Sequence, residues 1–337
     1  MNSTHRLLHR VRPYHDELLS GFMMRVSLKN RLLGPDELMY KLLGGTRNML
    51  ITDIPNLAYM TLNTVEAVQQ LSGIEQWQQG EPRWWVGSEW ISKSMFVTPR
   101  RSKICPACMV EQPYLRGIWN LSFYAVCAKH KIRLIETCPN CQKRLKWNRR
   151  RPDYCGCKQS LANIEAPLEV SHTASLSSLI AYRLEGKSHY LANVLALHPV
   201  VERLAGLSVD GLCKTVWFLG HCLENIGRYG VGHGRKKPDS VLLESMVEKT
   251  FEVLQEWPHA LGQALQQHLQ HKFGPRFTAV ECHQLFAPLD HYFRSSIVQP
   301  ELSFLSHAYE QYLQRLWRIS GKPHHCTSLG QQLVLEF

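Results

Sequence analysis

The sequence contains no uninterrupted apolar run of the roughly 20 residues that a membrane-crossing helix needs. Its opening residues lack a charged stretch followed by an apolar core, so no signal peptide is expected and the chain reads as cytoplasmic. There is no phosphate-binding Gly-Lys-Ser/Thr loop, no His-Glu-x-x-His and no carboxylate cluster set for two metals. Nucleotide-hydrolysing and metallohydrolase classes lose their usual signatures, and a non-catalytic protein is expected. No repeat of solenoid period occurs, and no long alternating β pattern occurs outside one cysteine-rich segment. Acids are scarce in that same segment. Between Lys93 and Lys158 only Glu111, Glu136 and Asp153 face 15 Lys and Arg, a net of +12 against +11 for all 337 residues.

What the segment does have is cysteine. Seven of the 11 cysteines fall between Cys105 and Cys157. An odd total without secretory features, tightly clustered, points to metal rather than disulfides. Cys213, Cys222, Cys282 and Cys326 are scattered and read as small buried apolar residues. Cys105-Pro-Ala-Cys108 and Cys127-Ala-Lys-His130 stand 18 residues apart and supply three sulfurs and one imidazole. Cys138-Pro-Asn-Cys141 and Cys155-Gly-Cys157 stand 13 residues apart and supply four sulfurs. Zn²⁺ takes four such ligands in a tetrahedron, and a two-residue spacer lets one turn present two of them. Pro106, Pro139 and Gly156 suit those turns. Two zinc ions per chain are expected, in closed sites with no position left for a catalytic water. Sequential pairing completes each set within a normal loop; a cross-braced order would join the first half-site to the third.

The focused positive charge suits DNA or RNA. Seven zinc-bound thiolates against two Zn²⁺ leave about −3, which offsets about a quarter of the excess. Lys143, Arg144, Lys146, Arg149, Arg150 and Arg151 are the candidate nucleic-acid contacts, against the alternative of a merely solvated loop. A weaker candidate is Arg235-Lys236-Lys237, in the glycine-rich loop Gly227–Asp239.

Elsewhere the spacing predicts helices. Leu18, Leu19, Phe22, Met23, Val26 and Leu33 mark one buried face ending at Gly34. Pro35, with Asp36 and Glu37, opens a second helix that closes at Gly44-Gly45. A third begins near Asn63 and runs through Val65, Val68 and Leu71 to Gly73. These fit a helix-turn-helix and also any small helical bundle. Residues 80–100 read as irregular, with Trp84, Trp85 and Trp90 pinning a loop or stacking on bases. Tyr114, Trp119, Leu121, Tyr124 and Val126 are expected to pack around the first metal set. Further helices are predicted from Ser175 to Leu184, from Ser208 along Leu212, Val216, Leu219, Leu223 and Ile226, and from a Ser240 cap to Trp257. Two more start at Pro258, with Leu261, Leu265 and Leu269, and at Pro300, running to Gly321. The fold class is mainly α: an N-terminal helix-turn-helix-like domain over 1–100, tandem zinc-binding motifs with little β over 101–165, and a C-terminal helical region over 166–337.

The order Cys-Pro-x-Cys, Tyr114-Leu115-Arg116, Trp119, Val126-Cys127-x-x-His130, Leu134, Cys-Pro-x-Cys, Cys-x-Cys resembles the TniQ family, which includes TnsD. Arg12-Pro13-Tyr14, Asp16-Glu17-Leu18, Ser20 and Arg25 to Asn30 resemble its N-terminal signature, and Trp257-Pro258 a later one. The resemblance implies an adaptor for target selection in DNA transposition that does not cut DNA and that brings the AAA+ ATPase TnsC to the chosen site. One branch docks, often as a homodimer, on the RNA-guided Cascade complex through its crRNA-processing and backbone subunits. The TnsD branch reads a fixed chromosomal sequence directly. The length leans to the Cascade-docking branch.

Overall fold

The protein is described from a computed structural model covering residues 6–45, 48–78, 80–99, 101–162, 164–197, 202–226, 238–296 and 300–320. The chain is mostly helical and divides into two compact units, Met1–Leu197 and His198–Phe337. Among the described residues no helix is long and apolar enough to cross a membrane.

The first unit begins with helix α1, Leu19–Lys29, and helix α2, Pro35–Leu43. The α1 stripe Leu19, Phe22, Met23 and Val26 is buried against Leu38 and Leu42 of α2 in the N-terminal core. Leu33, expected on that face, is 86% exposed. The helix stops earlier, at Lys29: Asn30 caps it and Arg31 turns to φ 57°, so Leu33 leaves the stripe. Helix α2 starts at Pro35 and ends at Gly44, whose φ of 69° suits a residue without Cβ.

Two further short helices follow, α3 (Ile54–Thr61) and α4 (Val65–Gln69). The sequence reading missed α3, because two short 3₁₀ and α turns replace one periodic run. It also placed the α4 cap one residue early: Thr64 accepts from the Ala67 N–H at 3.3 Å. Asn63 instead uses its amide to donate to the Val11 and Thr61 carbonyls and pins the N-terminal segment.

Residues 80–100 are not irregular. Strands β1 (Ile74–Gln78), β2 (Glu81–Val86) and β3 (Glu89–Ile91) form an antiparallel sheet in that order. Gly87-Ser88 is a two-residue hairpin connection with φ 63° at Gly87, the positive-φ geometry such turns require. Trp84 is buried in the sheet, and Trp85 lies cross-strand from Trp90 with ring centroids 5.2 Å apart. The tryptophans are strand residues that anchor the sheet.

Beyond the sheet come helix α5 (Pro106–Glu111), mostly irregular backbone joined by single β-bridges such as Ile104–Ile135 and Thr137–Arg144, then α6 (His172–Glu185) and α7 (Ser188–Leu197). The stretch containing the cysteine motifs therefore shares its compact unit with the N-terminal helices.

The second unit holds α8 (Glu202–Ala205), α9 (Val209–Trp217), α10 (Ser240–Gln255), α11 (His259–Phe273), α12 (Ala279–Ser296) and α13 (Ser303–Ser320). Ser208 caps α9, as the sequence suggests, accepting from Gly211 at 3.0 Å. The predicted stripe Leu212, Val216, Leu219, Leu223 and Ile226 is buried. A π-turn, Phe218–Cys222, interrupts it where Gly220 presses on the Met246 carbonyl; an added Cβ would lie 2.2 Å from that oxygen. The cap of α10 is Asp239, accepting from Leu242 at 2.9 Å, not Ser240. Helix α12 was not predicted; Pro288 sits inside it and breaks the expected sequence signature. Gly227, Arg235, Lys236, Lys237, Gly321 and Cys326 lie outside the described residues. Cys213, Cys222 and Cys282 are buried, as expected of apolar fillers.

Candidate metal centres and the basic loop

The eight predicted ligands gather in two groups, in sequential order. Cys105, Cys108, Cys127 and His130 form one, and Cys138, Cys141, Cys155 and Cys157 the other; within each group the donor atoms lie within 4.8 Å of one another. All seven cysteines are free thiols. Sulfurs of neighbouring ligands sit at 3.8 Å (Cys108–Cys127) and 3.7 Å (Cys138–Cys157 and Cys141–Cys155). That is far beyond a disulfide. A tetrahedron with Zn–S of about 2.3 Å has an edge of about 3.8 Å. His130 Nδ1 lies 3.3 Å from Cys105 and Cys108 and 3.6 Å from Cys127, again an edge length for one shared ion. The donor chemistry and spacing fit two metal ions.

Local backbone makes these knuckles. Cys105 caps α5, with Pro106 in its first turn, and its Sγ accepts from the Cys108 N–H at 3.5 Å. The other three knuckles share one device. Lys131, Gln142 and Lys158 take φ of 56°, 55° and 69°, and each N–H returns to a ligand carbonyl: Cys127 at 2.7 Å, Cys138 at 2.9 Å and Cys155 at 3.0 Å. The left-handed residue closes the turn so that both ligands face inward. None of the three is glycine, so nothing in the sequence advertises it.

The first centre is enclosed. Cys105, Cys108 and Cys127 are buried, as are Tyr114, Trp119, Leu121, Tyr124 and Val126. The Tyr124 hydroxyl accepts from the Ala128 N–H at 2.9 Å, within the Cys127 knuckle. Hydrogen bonds from the Cys105 and Cys108 thiols hold Cys127 far below the ordinary thiol range, to about 2. Donation to Cys105 and Cys127, together with burial, pushes Cys108 far up. Three sulfurs this close carry full thiolate charge together only around a cation.

Contacts around this centre add roles that the spacing of the residues does not show. Glu111, the last residue of α5, lies with Oε1 3.0 Å from His130 Nε2, leaving Nδ1 to face the sulfurs. Hydrogen bonds from Lys129 and His130 hold its carboxyl below the usual range. Arg116 donates to Asp16 Oδ2 at 2.9 Å and to the Tyr114 hydroxyl at 2.6 Å, and it reaches the Cys108 sulfur. Tyr114 in turn donates to Asp16 at 2.7 Å and stacks on Tyr14, centroids 4.3 Å apart. Glu17, fully buried, receives Arg25 at 2.9 and 3.1 Å and the Tyr14 N–H at 3.1 Å. Burial pushes it up to about 7 against the pull of Arg25. The N-terminal signature residues are thus a brace behind the first centre. Gly117 belongs to it: its N–H donates to the Asp16 carbonyl at 2.7 Å, and an added Cβ would lie 2.0 Å from Ser72 Oγ.

The second centre is open to solvent on one side, since Cys157 is exposed. A backbone hydrogen bond from Gln159 draws its thiol down to about 6. Of the predicted basic loop, Lys143, Arg144, Lys146 and Arg150 are exposed. Arg151 is exposed too but pairs with Asp153 at 2.8 Å. Arg149 corrects the sequence reading: it is buried, 7% exposed, and donates to the Lys146 carbonyl at 2.8 Å and the Pro152 carbonyl at 2.9 Å. Pro152, not solvent, is its neighbour because the chain folds back at this point.

No curated protein matches the chain. Residues 8–134 match the model of the TniQ family. The match takes in the N-terminal helices, the sheet and the complete first centre, and ends before Cys138. Over residues 8–134 the chain is therefore similar to the TniQ family, a family of transposition target-selection proteins.

Proposed function

We propose that the protein is a non-catalytic target-selection adaptor in DNA transposition. It works in the cytoplasm as a homodimer, docks on an RNA-guided Cascade complex through the crRNA-processing and backbone subunits, and recruits the AAA+ regulator TnsC. The observation that carries this reading is the TniQ-like stretch built around a closed four-donor set. Zinc is the ion that three sulfurs and an imidazole, or four sulfurs, hold best in a tetrahedron. With all four positions taken by the chain, the ion supplies folding free energy and shape rather than an activated water. Cys105, Cys108, Cys127 and His130 hold one ion, and Cys138, Cys141, Cys155 and Cys157 the other. The brace of Asp16, Glu17, Arg25, Tyr114 and Arg116 makes the N-terminal helices and the first centre one piece.

A second reading, a TnsD-like protein that reads a fixed chromosomal site directly, draws support from the exposed cations Lys143, Arg144, Lys146 and Arg150. One experiment separates the two. The purified chain is tested for binding to genomic fragments and for co-purification with the guide-RNA complex and the ATPase. Co-purification with weak, salt-labile DNA binding is expected. Tight sequence-specific binding by the chain alone, well above its non-specific level, overturns the docking reading in favour of the second.

A further inference from the structure

A hollow of about 380 Å³ opens onto the second centre: Cys141, Cys155 and Cys157, three of its four donors, line one side and Lys143, Arg144, Lys146, Asn148 and Arg149 the other. No carboxylate lines it. Among the described residues Lys143, Arg144 and Lys146 make no ion pair. Arg149 is the informative member. Its two terminal nitrogens are committed to the Lys146 and Pro152 carbonyls, which fixes the plane of the guanidinium. Its Nε–H is buried and has no acceptor. A buried donor without a partner is unfavourable. The Cys155 sulfur and Asp153 lie close enough to offset the charge of Arg149, but that leaves the Nε donor unused. The charge balance also stays positive: four cations line the hollow, while four thiolates around one divalent ion leave about −2.

We propose that this hollow is a phosphate-binding pocket whose ligand is a phosphodiester of a nucleic-acid backbone. The proposal rests on the reading of the chain as a protein that works on DNA, and deepens it by naming the contact. A guanidinium with two arms already fixed holds its charge at one place in the wall of the hollow, while the exposed Lys143, Arg144 and Lys146 supply the donors that reach a phosphate oxygen. The exposed cations continue past the pocket, to Arg150 and to Arg101, whose backbone bridges that of Lys146. A strand of successive phosphates matches that extension, whereas a free phosphate fills the hollow alone.

The test uses the full-length, zinc-loaded chain and a fluorescent 20-base-pair duplex, with affinity read by anisotropy from about 50 to 300 mM salt. The triple variant K143A/R144A/K146A changes exposed side chains only. It is expected to bind at least tenfold more weakly and to flatten the slope of log affinity on log salt by about 2 to 3, at roughly 0.9 for each phosphate no longer neutralised. R149K keeps the charge and removes the fork; it should weaken binding severalfold at unchanged zinc content. Inorganic phosphate should compete with the duplex beyond chloride at equal ionic strength, and that advantage should vanish in the triple variant. Unchanged affinity and slope in the triple variant, at full zinc content, overturn the proposal. So does competition or binding by inorganic phosphate without any duplex binding, which makes the hollow a free-phosphate site. A chain that fails these tests yet still co-purifies with the ATPase refutes the pocket and leaves the adaptor reading standing.

Discussion

The two candidate metal centres gather their donors within the same distance but differ in their surroundings. The first is buried, sits inside the stretch matching the TniQ family and is backed by a polar brace from the N-terminal segment. The second has one ligand in solvent, lies beyond the match and is ringed by cations. Equal spacing therefore does not mean equal roles. An enclosed centre is tied to the core, so its loss is a folding event. A half-exposed centre shapes a surface loop, so its loss is local.

The sharpest way to break that contrast is to remove one ligand from each. Cys127→Ser is expected to unfold the first unit, because structural zinc contributes on the order of 10 kcal/mol and small stable domains hold only about 5–15. Circular dichroism should show loss of cooperative melting and metal analysis a fall towards one ion per chain or fewer. Cys157→Ser should lose one ion but keep a cooperative transition within a few degrees of the parent. Equal damage from both substitutions overturns the contrast. Chelator titration sharpens it: two release phases are expected, with the faster one absent in Cys157→Ser. A single phase that releases both ions together contradicts the assignment.

The brace gives the next largest effects, and they belong to the first centre alone. Arg116→Ala leaves Asp16 with the Tyr114 hydroxyl and withdraws a donor from Cys108, at a cost of about 2–3 kcal/mol, read by denaturant unfolding. Glu17 adds a pH dependence. Its folded pKa, about 7, lies above the ordinary carboxylate value of 4.5. Between those values the folded chain keeps a proton that the unfolded chain releases. The contribution of Glu17 to stability is therefore greatest below pH 4.5 and is lost as pH rises through 7, by about 3 kcal/mol. In Glu17→Gln that decline should disappear. A parent and variant whose stabilities run parallel from pH 5 to 8 would falsify it.

Much of this was legible in the residues because it rests on local chemistry. Cysteine and histidine spacing pointed to the eight residues that gather in two groups, since each half-site is a single turn, while the sequential rather than cross-braced order came from the fold. Proline at α2 and serine at α9 marked helix starts through their own backbone constraints. What escaped depends on how the folded backbone places a residue, not on the residue type at a given spacing. Arg149 reads as one more solvated cation until the fold buries it under Pro152. The three-stranded sheet hid because Trp84, Trp85 and Trp90 do not alternate cleanly with polar residues. The brace joins Asp16 to Tyr114 and Arg116, about 100 positions on, and the left-handed Lys131, Gln142 and Lys158 are ordinary residues whose turns close through backbone hydrogen bonds that no residue type announces.

Glu111 tests the contrast at its finest grain. The first centre has a nitrogen ligand whose outer atom needs a partner; the second has four sulfurs and no such requirement. Ligating histidines usually give their outer N–H to a carboxylate or carbonyl, which fixes the tautomer and strengthens the inner nitrogen as a donor. Glu111 Oε1 stands 3.0 Å from His130 Nε2 in that arrangement. Glu111→Gln keeps the shape and an acceptor oxygen but removes the charge, so the affinity of the first centre should fall by about tenfold, the low end for such partners. Glu111→Ala, which removes the acceptor, should fall further, while the fold persists because the carboxylate is at the surface. Competition with a chromophoric chelator reads both, and the phase assigned to the second centre should not move. If the two phases shift together, or Glu111→Ala leaves the first unchanged, then the imidazole is oriented by its knuckle alone and the carboxylate is a bystander.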